Sequence, residues 1–186
     1  MTEHKPVSEM TRPVAVLDRA SLARAVALAT LTVDRKNSIP ILSNLRLKGS
    51  GETLAVIGTD MDNEIHVMVA GAADSRLDTT VPAHMLKDIL GKAKDSELAS
   101  LADASTDEVS RCGVDLGGVN FKLNAIDATD FPVMEPVGSG GKTHDFEIGA
   151  DVLVDILSKV RFAISTEETR YYLNGVFLHH SQYSNG

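Results

Sequence analysis

This 186-residue sequence has few cysteines, few aromatic residues and no long apolar run. It contains one cysteine, Cys112, no tryptophan and 4% aromatic residues. A single cysteine excludes an intramolecular disulfide and fits a reducing compartment, so we expect a cytoplasmic protein in which Cys112 is a small buried side chain. No apolar segment approaches the length of a membrane span, and the opening residues 1–12 do not resemble a signal peptide, so no membrane partner is expected.

The sequence also lacks a net basic charge, since its formal net charge is −8. An acidic total argues against a nucleic-acid partner, but the charge is unevenly distributed. Residues 19–36 carry +3, residues 82–94 carry +2, and the remainder of the chain carries −13. Residues 150–162 are neutral. The basic stretches are either ordinary solvated helix faces or a surface that meets phosphates.

Catalytic motifs are scarce, and no nucleophile–base set is recognisable. The segment Gly141-Lys142-Thr143 matches the end of a phosphate-binding loop, but Pro136 stands where the motif needs its first glycine. A strand-like segment also follows it, where that motif requires a helix. We therefore predict no cofactor and no enzyme activity, with a phosphate-dependent enzyme that uses residues 141–143 kept as an alternative.

A second alternative is a metal-dependent enzyme. Four side chains alternate along one strand-like stretch: Asp60, Asp62, Glu64 and His66. Ligands at this spacing spread over roughly 20 Å of strand, too far to share one ion. We interpret them as a solvent-facing strand side, with Met61, Ile65 and Val67 on or near the buried side.

One supersecondary unit is repeated three times along the sequence. A β-branched or aliphatic residue precedes a leucine by five positions in each copy, in the pairs Leu17 and Leu22, Val81 and Leu86, and Ile148 and Leu153. Apolar pairs follow each leucine at helical spacing: Ala25-Val26, Ile89-Leu90 and Ile156-Leu157. Each unit therefore predicts a short strand followed by an amphipathic helix. A gap-free shift of 131 residues also aligns the first unit with the third.

The pattern predicts an α+β fold of repeated β-α-β-β-β units, with helices on one face and antiparallel sheets on the other. Helices are expected at 20–30 and 83–93, and strands at 14–17, 41–48, 53–58, 63–70, 97–102, 108–112 and 119–125. We expect a disordered extension over 1–12, a first domain over 13–136, a linker over 137–144 and the truncated start of a second domain over 145–186. In that last part we expect the helix and the first following strand.

Five ordered motifs resemble one family. They are Ser38-Ile39-Pro40-Ile41-Leu42-Ser43-Asn44-Leu45, Gly58-Thr59-Asp60 with Glu64, Thr79-Thr80-Val81-Pro82-Ala83, Asp130-Phe131-Pro132 and Arg170-Tyr171-Tyr172-Leu173-Asn174-Gly175. In order and spacing they are similar to the bacterial DNA polymerase III β subunit, the sliding clamp. The resemblance implies a non-catalytic accessory subunit of three similar domains, two copies of which close head to tail around double-stranded DNA.

The same resemblance implies partners and site residues. The partners are a clamp loader, DNA polymerase III, other replication and repair proteins, and a second clamp subunit. Arg35, Tyr171 and Tyr172 match DNA-contacting positions, and Arg24 and Lys36 join them from the same basic stretch. The resemblance assigns Ile89, Phe121 and Leu123 to the subunit interface, and Arg170 and Leu173 to a partner-peptide pocket. The acidic pair Glu167-Glu168 departs from the family pattern and would repel DNA. A truncated clamp copy that no longer forms a ring is a further alternative.

Overall fold

The structure is a computed structural model of Met1–Gly186 that describes residues 13–35, 37–106, 109–134 and 146–179. The chain divides into two compact units, Met1–Glu135 and Pro136–Gly186. The predicted extension at 1–12, the predicted linker at 137–144 and the Gly141-Lys142-Thr143 segment lie outside the described residues. No helix in the described ranges is both long and apolar enough to cross a membrane.

The first unit is an antiparallel sheet with two helices. Its elements are β1 Ala15–Asp18, α1 Arg19–Ala29, β2 Asn44–Gly49, β3 Gly51–Thr59, β4 Glu64–Ala73, β5 Asp78–Pro82, α2 Ala83–Lys92, β6 Leu98–Asp103, β7 Arg111–Leu116 and β8 Val119–Asn124. The eight strands form one sheet in the order β5-β2-β3-β4-β1-β6-β7-β8. The predicted α+β class is confirmed.

The core lies between the sheet and the two helices, which pack against each other. Helix α1 begins where the Asp18 carboxylate accepts a hydrogen bond from the Ser21 backbone N–H at 2.6 Å. The predicted apolar stripe is buried: Leu22 and Val26 of α1 and Leu86 and Leu90 of α2 are each 0% exposed. Each such side chain contributes about 1.5–3 kcal/mol through burial.

The second unit confirms the helix of the third repeat but not the strand predicted before it, because residues 146–149 form no strand. Helix α3, Ala150–Val160, lies 131 positions after α1, and a 3₁₀ helix at Arg161–Ala163 lies 131 positions after the one at Thr30–Thr32. The prediction of a strand after α3 is wrong. Residues 146–179 contain no strand, and Glu168–Leu173 forms a 3₁₀ helix instead.

Several boundaries in the first unit differ from prediction, most clearly at residues 40–43 and in β7. Pro40–Ser43 is a 3₁₀ helix, not the beginning of a strand, because proline fits the first position of a helical turn. Strand β7 begins at Arg111 and continues to Leu116, beyond the predicted end at 112. A two-residue turn at Gly117 and Gly118, with φ of 64° and 94°, ends it.

Candidate nucleic-acid interface

Three cations of the helix pair are exposed. Arg24 of α1 and Lys87 and Lys92 of α2 are exposed. Arg24 lies opposite the buried residues of α1. Lys87 and Lys92 are five positions apart, so they lie on different flanks of α2, with the exposed Asp88 between them. Arg19 behaves differently: it is half-buried, and its Nε donates a hydrogen bond to the Ser96 carbonyl at 3.1 Å.

The loop that follows α1 is tied to the start of α2. His84 Nε2 donates a hydrogen bond to the Val33 carbonyl at 3.1 Å, which holds the loop close to the first turn of α2. His84 Nδ1 is buried and has no hydrogen-bond partner among the described atoms. Two residues further along this loop, Arg35 is exposed. Lys36 lies outside the described residues.

The remaining predicted DNA and peptide contacts belong to the second unit. Tyr171 and Tyr172 lie in the 3₁₀ helix Glu168–Leu173, where Tyr172 is 70% exposed and Leu173 is 45% exposed. Arg170 Nε lies 3.1 Å from a carboxylate oxygen of Glu167. This exposed ion pair offsets one of the two negative charges that were predicted to repel DNA.

A groove of about 840 Å³ separates α2 from the β7–β8 hairpin. Two of the three predicted interface residues, Ile89 and Phe121, are half-buried and line it. Leu123 is 2% exposed and packs in the core, so its side chain offers no surface to a partner. Sequence reasoning missed Met85 and Val119, which also line the groove and are 54% and 58% exposed.

Both missed residues carried a sequence signal. Val119 stands two positions before Phe121, so the two share one face of β8. Met85 stands four positions before Ile89, one helical turn earlier on the same side of α2. The strand spacing from Phe121 and the helix spacing from Ile89 therefore predict Val119 and Met85 beside them.

The outer edge of β8 has backbone groups that no strand of the described residues pairs with. The Ala125 N–H donates to the Ser110 carbonyl at 2.9 Å, which sets the phase of the β7–β8 ladder. By alternation, the N–H and C=O groups of Asn120, Lys122 and Asn124 point away from β7. Strand β8 is the last strand of the described sheet, so this edge is open to another strand.

The predicted strand side at Asp60, Asp62, Glu64 and His66 is only half strand. Glu64 and His66 belong to β4 and contact each other at 2.7 Å, whereas Asp60 and Asp62 lie in the β3–β4 turn. Met61 was predicted near the buried side, but it is 57% exposed with φ of 77°.

This turn is held by hydrogen bonds to Asp60. The Asp60 carboxylate accepts from the backbone N–H groups of Asp62 and Asn63 at 2.9 and 2.6 Å. Burial acts to raise the pKa of Asp60, but the hydrogen bonds from Asn63 and Asp62 lower it on balance. The described residues contain no group of three or more acidic, His or Cys side chains placed to hold a metal ion.

Cys112 is the small buried side chain that its isolation predicts. It is 2% exposed, and burial followed by the nearby Asp103 charge raises the pKa of its thiol to about 12. A thiol with so high a pKa is not a nucleophile at neutral pH.

Comparison with known proteins agrees with this fold. Residues 15–135 match the family model described as DNA polymerase III beta subunit, N-terminal domain. The beta sliding clamp of Caulobacter vibrioides strain NA1000 is 39% identical over 163 residues, which cover 88% of this chain and 42% of the relative. The beta sliding clamp of Pseudomonas aeruginosa is 32% identical over 164 residues, which cover 87% and 42%.

Solved structures give the same result. The DNA polymerase sliding clamp of Caulobacter crescentus superposes with a TM-score of 0.76 at 38% identity, covering 87% of this chain and 42% of that one. The DNA polymerase III subunit beta of Pseudomonas aeruginosa gives 0.72 at 28% identity, covering 86% and 42%. The chain spans less than half the length of these relatives. The matched model covers most of the first unit, and the chain belongs to the DNA polymerase III beta subunit family through that family's N-terminal domain.

Proposed function

We propose that this chain forms part of a sliding clamp, a non-catalytic accessory subunit of the DNA polymerase III holoenzyme that tethers the polymerase to duplex DNA in the cytoplasm. The observation that carries the proposal is the excess of exposed cations on the helix pair in an otherwise acidic protein. The exposed charged residues of α1 and α2 are Arg24, Lys87, Lys92 and Asp88, while the net charge of the chain is −8.

This charge arrangement suits a protein that must hold DNA and still move along it. Lysine and arginine attract phosphates without reading bases, so contacts of this kind are weak, sequence-independent and sensitive to salt. The acidic remainder of the surface repels DNA. The outer sides of α1 and α2 are therefore the DNA-facing surface, with Arg35, Lys36, Tyr171 and Tyr172 as further contacts in the loops.

The groove beside α2 supports a subunit contact. Ile89, Phe121 and Val119 offer apolar surface, and the open edge of β8 offers backbone groups for an added strand. A contact between this groove and a different surface of a second subunit is heterologous, and such contacts form a ring when the rotation between subunits closes. Arg170 and Leu173 belong to the pocket for short peptides of the polymerase, the clamp loader and repair proteins.

The DNA-facing surface is tested by salt-dependent binding. We expect the chain to bind a fluorescein-labelled 30-base-pair duplex weakly, with an affinity that falls as salt rises. The slope of log K against log salt is negative, and each phosphate contact removed should reduce its magnitude by about 0.9. The double variant Arg24→Glu, Lys87→Glu should therefore reduce the magnitude by roughly 2, measured by fluorescence anisotropy between 25 and 150 mM salt.

Lys48→Glu is the control, because Lys48 is exposed on β2 and alternates with the core residue Leu47, which places its side chain on the sheet face opposite the helix pair. It changes the charge by −2, half the change in the double variant, and should leave most of the slope intact. An equal loss of slope per unit of charge changed in the control and in the double variant would mean that binding follows total charge, and the assignment of α1 and α2 as the DNA-facing surface would be wrong.

A further inference from the structure

A second cleft, of about 510 Å³, lies at the seam between the two ends of the sheet in the first unit. It is formed where β5 begins, β6 ends and β7 begins. Its floor is apolar and includes Val14, Leu77, Cys112 and Ala128. The size falls within the usual range of ligand sites. It shares no lining residue with the groove beside α2.

The rim of this seam cleft is negatively charged. Asp78 is paired with Arg46 through two contacts of 2.7 Å, and Arg76 at the rim is paired with Asp74 at 2.6 Å. With these pairs set aside, the charged groups at the rim are Asp103, Asp127 and Arg111. No ion pair of Arg111 is found in the part of the chain that the structure describes. The rim therefore has one carboxylate more than it has cations.

Both remaining carboxylates are ionised at neutral pH. The Ser105 hydroxyl and backbone N–H lower the pKa of Asp103, and the Thr129 backbone N–H and hydroxyl lower the pKa of Asp127. Asp127 also lies close enough to Asp78 for their charges to interact. These acids are held in place by their own loops and still face the cleft.

One wall of the cleft is an open strand edge. The Gly49 N–H donates to the Leu77 carbonyl at 2.8 Å, so the backbone N–H and C=O groups of Leu77, Thr79 and Val81 point toward β2. The backbone groups of Asp78 consequently face the seam. In the described ranges, no backbone hydrogen bond joins Asp78 to the chain across the seam.

We propose that the seam cleft binds a short extended peptide that carries lysine or arginine. The peptide adds to the edge of β5 through the Asp78 backbone, places an apolar side chain on the floor and directs a basic side chain to Asp103 and Asp127. An acidic peptide or a phosphate would meet the negative rim. This site is independent of the proposed DNA-facing surface and of the groove beside α2.

Three synthetic peptides test the site. The first is acetylated and amidated Val-Lys-Val-Lys-Val, the second replaces lysine by glutamate, and the third is the lysine peptide with alternate backbone nitrogens methylated. We expect saturable binding of the first alone, with amide shifts at residues around Asp78 and Asp103 in ¹H–¹⁵N spectra of the full chain. Equal binding of all three peptides, or no saturable binding, would overturn the proposal.

A variant pair locates the contact. Asp103→Asn with Asp127→Asn removes both free carboxylates and should weaken binding of the lysine peptide roughly five-fold. Asp130→Asn is the matched control, because Asp130 is an exposed acid of the 3₁₀ helix Ala128–Asp130 and does not line the cleft. A thermal melt checks that all variants fold. Unchanged affinity in a folded double variant would place the peptide elsewhere.

Discussion

At the residue scale, one hydroxyl bridges the two ends of the sheet beside the seam cleft. Thr80 Oγ1 donates to the Ile126 carbonyl at 2.8 Å and accepts from the Ile126 N–H at 3.1 Å and from Asn44 Nδ2 at 2.9 Å. A hydroxyl has one donor and two acceptor sites, so its capacity is fully used. Thr80 is 0% exposed, so water cannot replace these bonds.

Thr80→Val keeps the shape of the side chain and removes these bonds. The N–H and C=O of Ile126 then lose their partner, and we expect a loss of about 1–3 kcal/mol in the free energy of unfolding, measured by urea denaturation. Thr79→Val is the control, because Thr79 is half-buried and no side-chain hydrogen bond of it is found in the described structure. It should change stability by less than about 0.5 kcal/mol. Similar losses in both variants would refute the role of the Thr80 hydroxyl.

The ion pair between Asp74 and Arg76 makes the stability of the first unit depend on pH. Hydrogen bonds from the Arg76 side chain and backbone lower the pKa of Asp74 from 3.8 to about 2. A carboxyl with a depressed folded-state pKa stabilises the fold above its unfolded pKa, and this contribution is lost as pH falls through the folded value. We expect Tm to fall between pH 4 and pH 2, and to fall less in Asp74→Asn. An identical pH profile of Tm in Asp74→Asn and wild type would contradict this.

At the scale of elements, the helices were predicted more accurately than the strands. The apolar residues around Leu22 and around Leu86 each have helical spacing over about ten residues, and this spacing predicts an amphipathic helix and not a strand. The short apolar run from Ile41 to Leu45 is compatible with a strand or a helical turn, and Pro40 decided in favour of a 3₁₀ helix. The end of β7 was missed because the Gly117-Gly118 turn signal was not used.

Two glycine substitutions should have opposite effects. Gly118 has φ of 94° in the β7–β8 turn, a conformation that strains any other residue. Gly118→Ala should therefore cost about 1–2 kcal/mol. Gly91 lies in α2, where a Cβ atom would meet nothing within 4 Å. Gly91→Ala should stabilise the protein by about 0.5–1 kcal/mol. Urea titrations of the two variants check the signs, and a shift of both in the same direction would contradict this account.

At the scale of the whole molecule, the sequence predicted exposed residues of a single element better than it predicted a groove between two elements. The cluster of basic residues at 19–36 was enough to predict Arg24 as a DNA contact, because the exposure of a helical position can be predicted without knowing the tertiary structure. The groove beside α2 depends on α2 and the β7–β8 hairpin meeting in space, and Val119 is 30 residues from Ile89. Such a site becomes visible only when the fold brings distant segments together. Leu123 was predicted at the interface because it alternates with Phe121. The two residues do share one face of β8, but the Leu123 side chain points into the core.

The groove beside α2 can be tested in a chain of full family length. Residues 13–134 of this protein can replace the matching segment of the Caulobacter vibrioides clamp, whose remaining length would supply the opposite subunit surface. Val119 and Phe121 would then be the apolar centre of the contact. Burying a charge there without a partner is costly, and central interface residues commonly contribute 2 kcal/mol or more.

Val119→Asp in this chimera should therefore raise the Kd of the dimer by about 30-fold or more, measured by sedimentation velocity over a dilution series. Val133→Asp is the matched control, since Val133 is 74% exposed and does not line the groove. It should leave the Kd unchanged. Because Val119 is itself 58% exposed in the single chain, its substitution should not unfold the domain, so weaker association with an unchanged melting temperature isolates the contact. A dimer equally stable in both variants would show that the subunits meet through another surface.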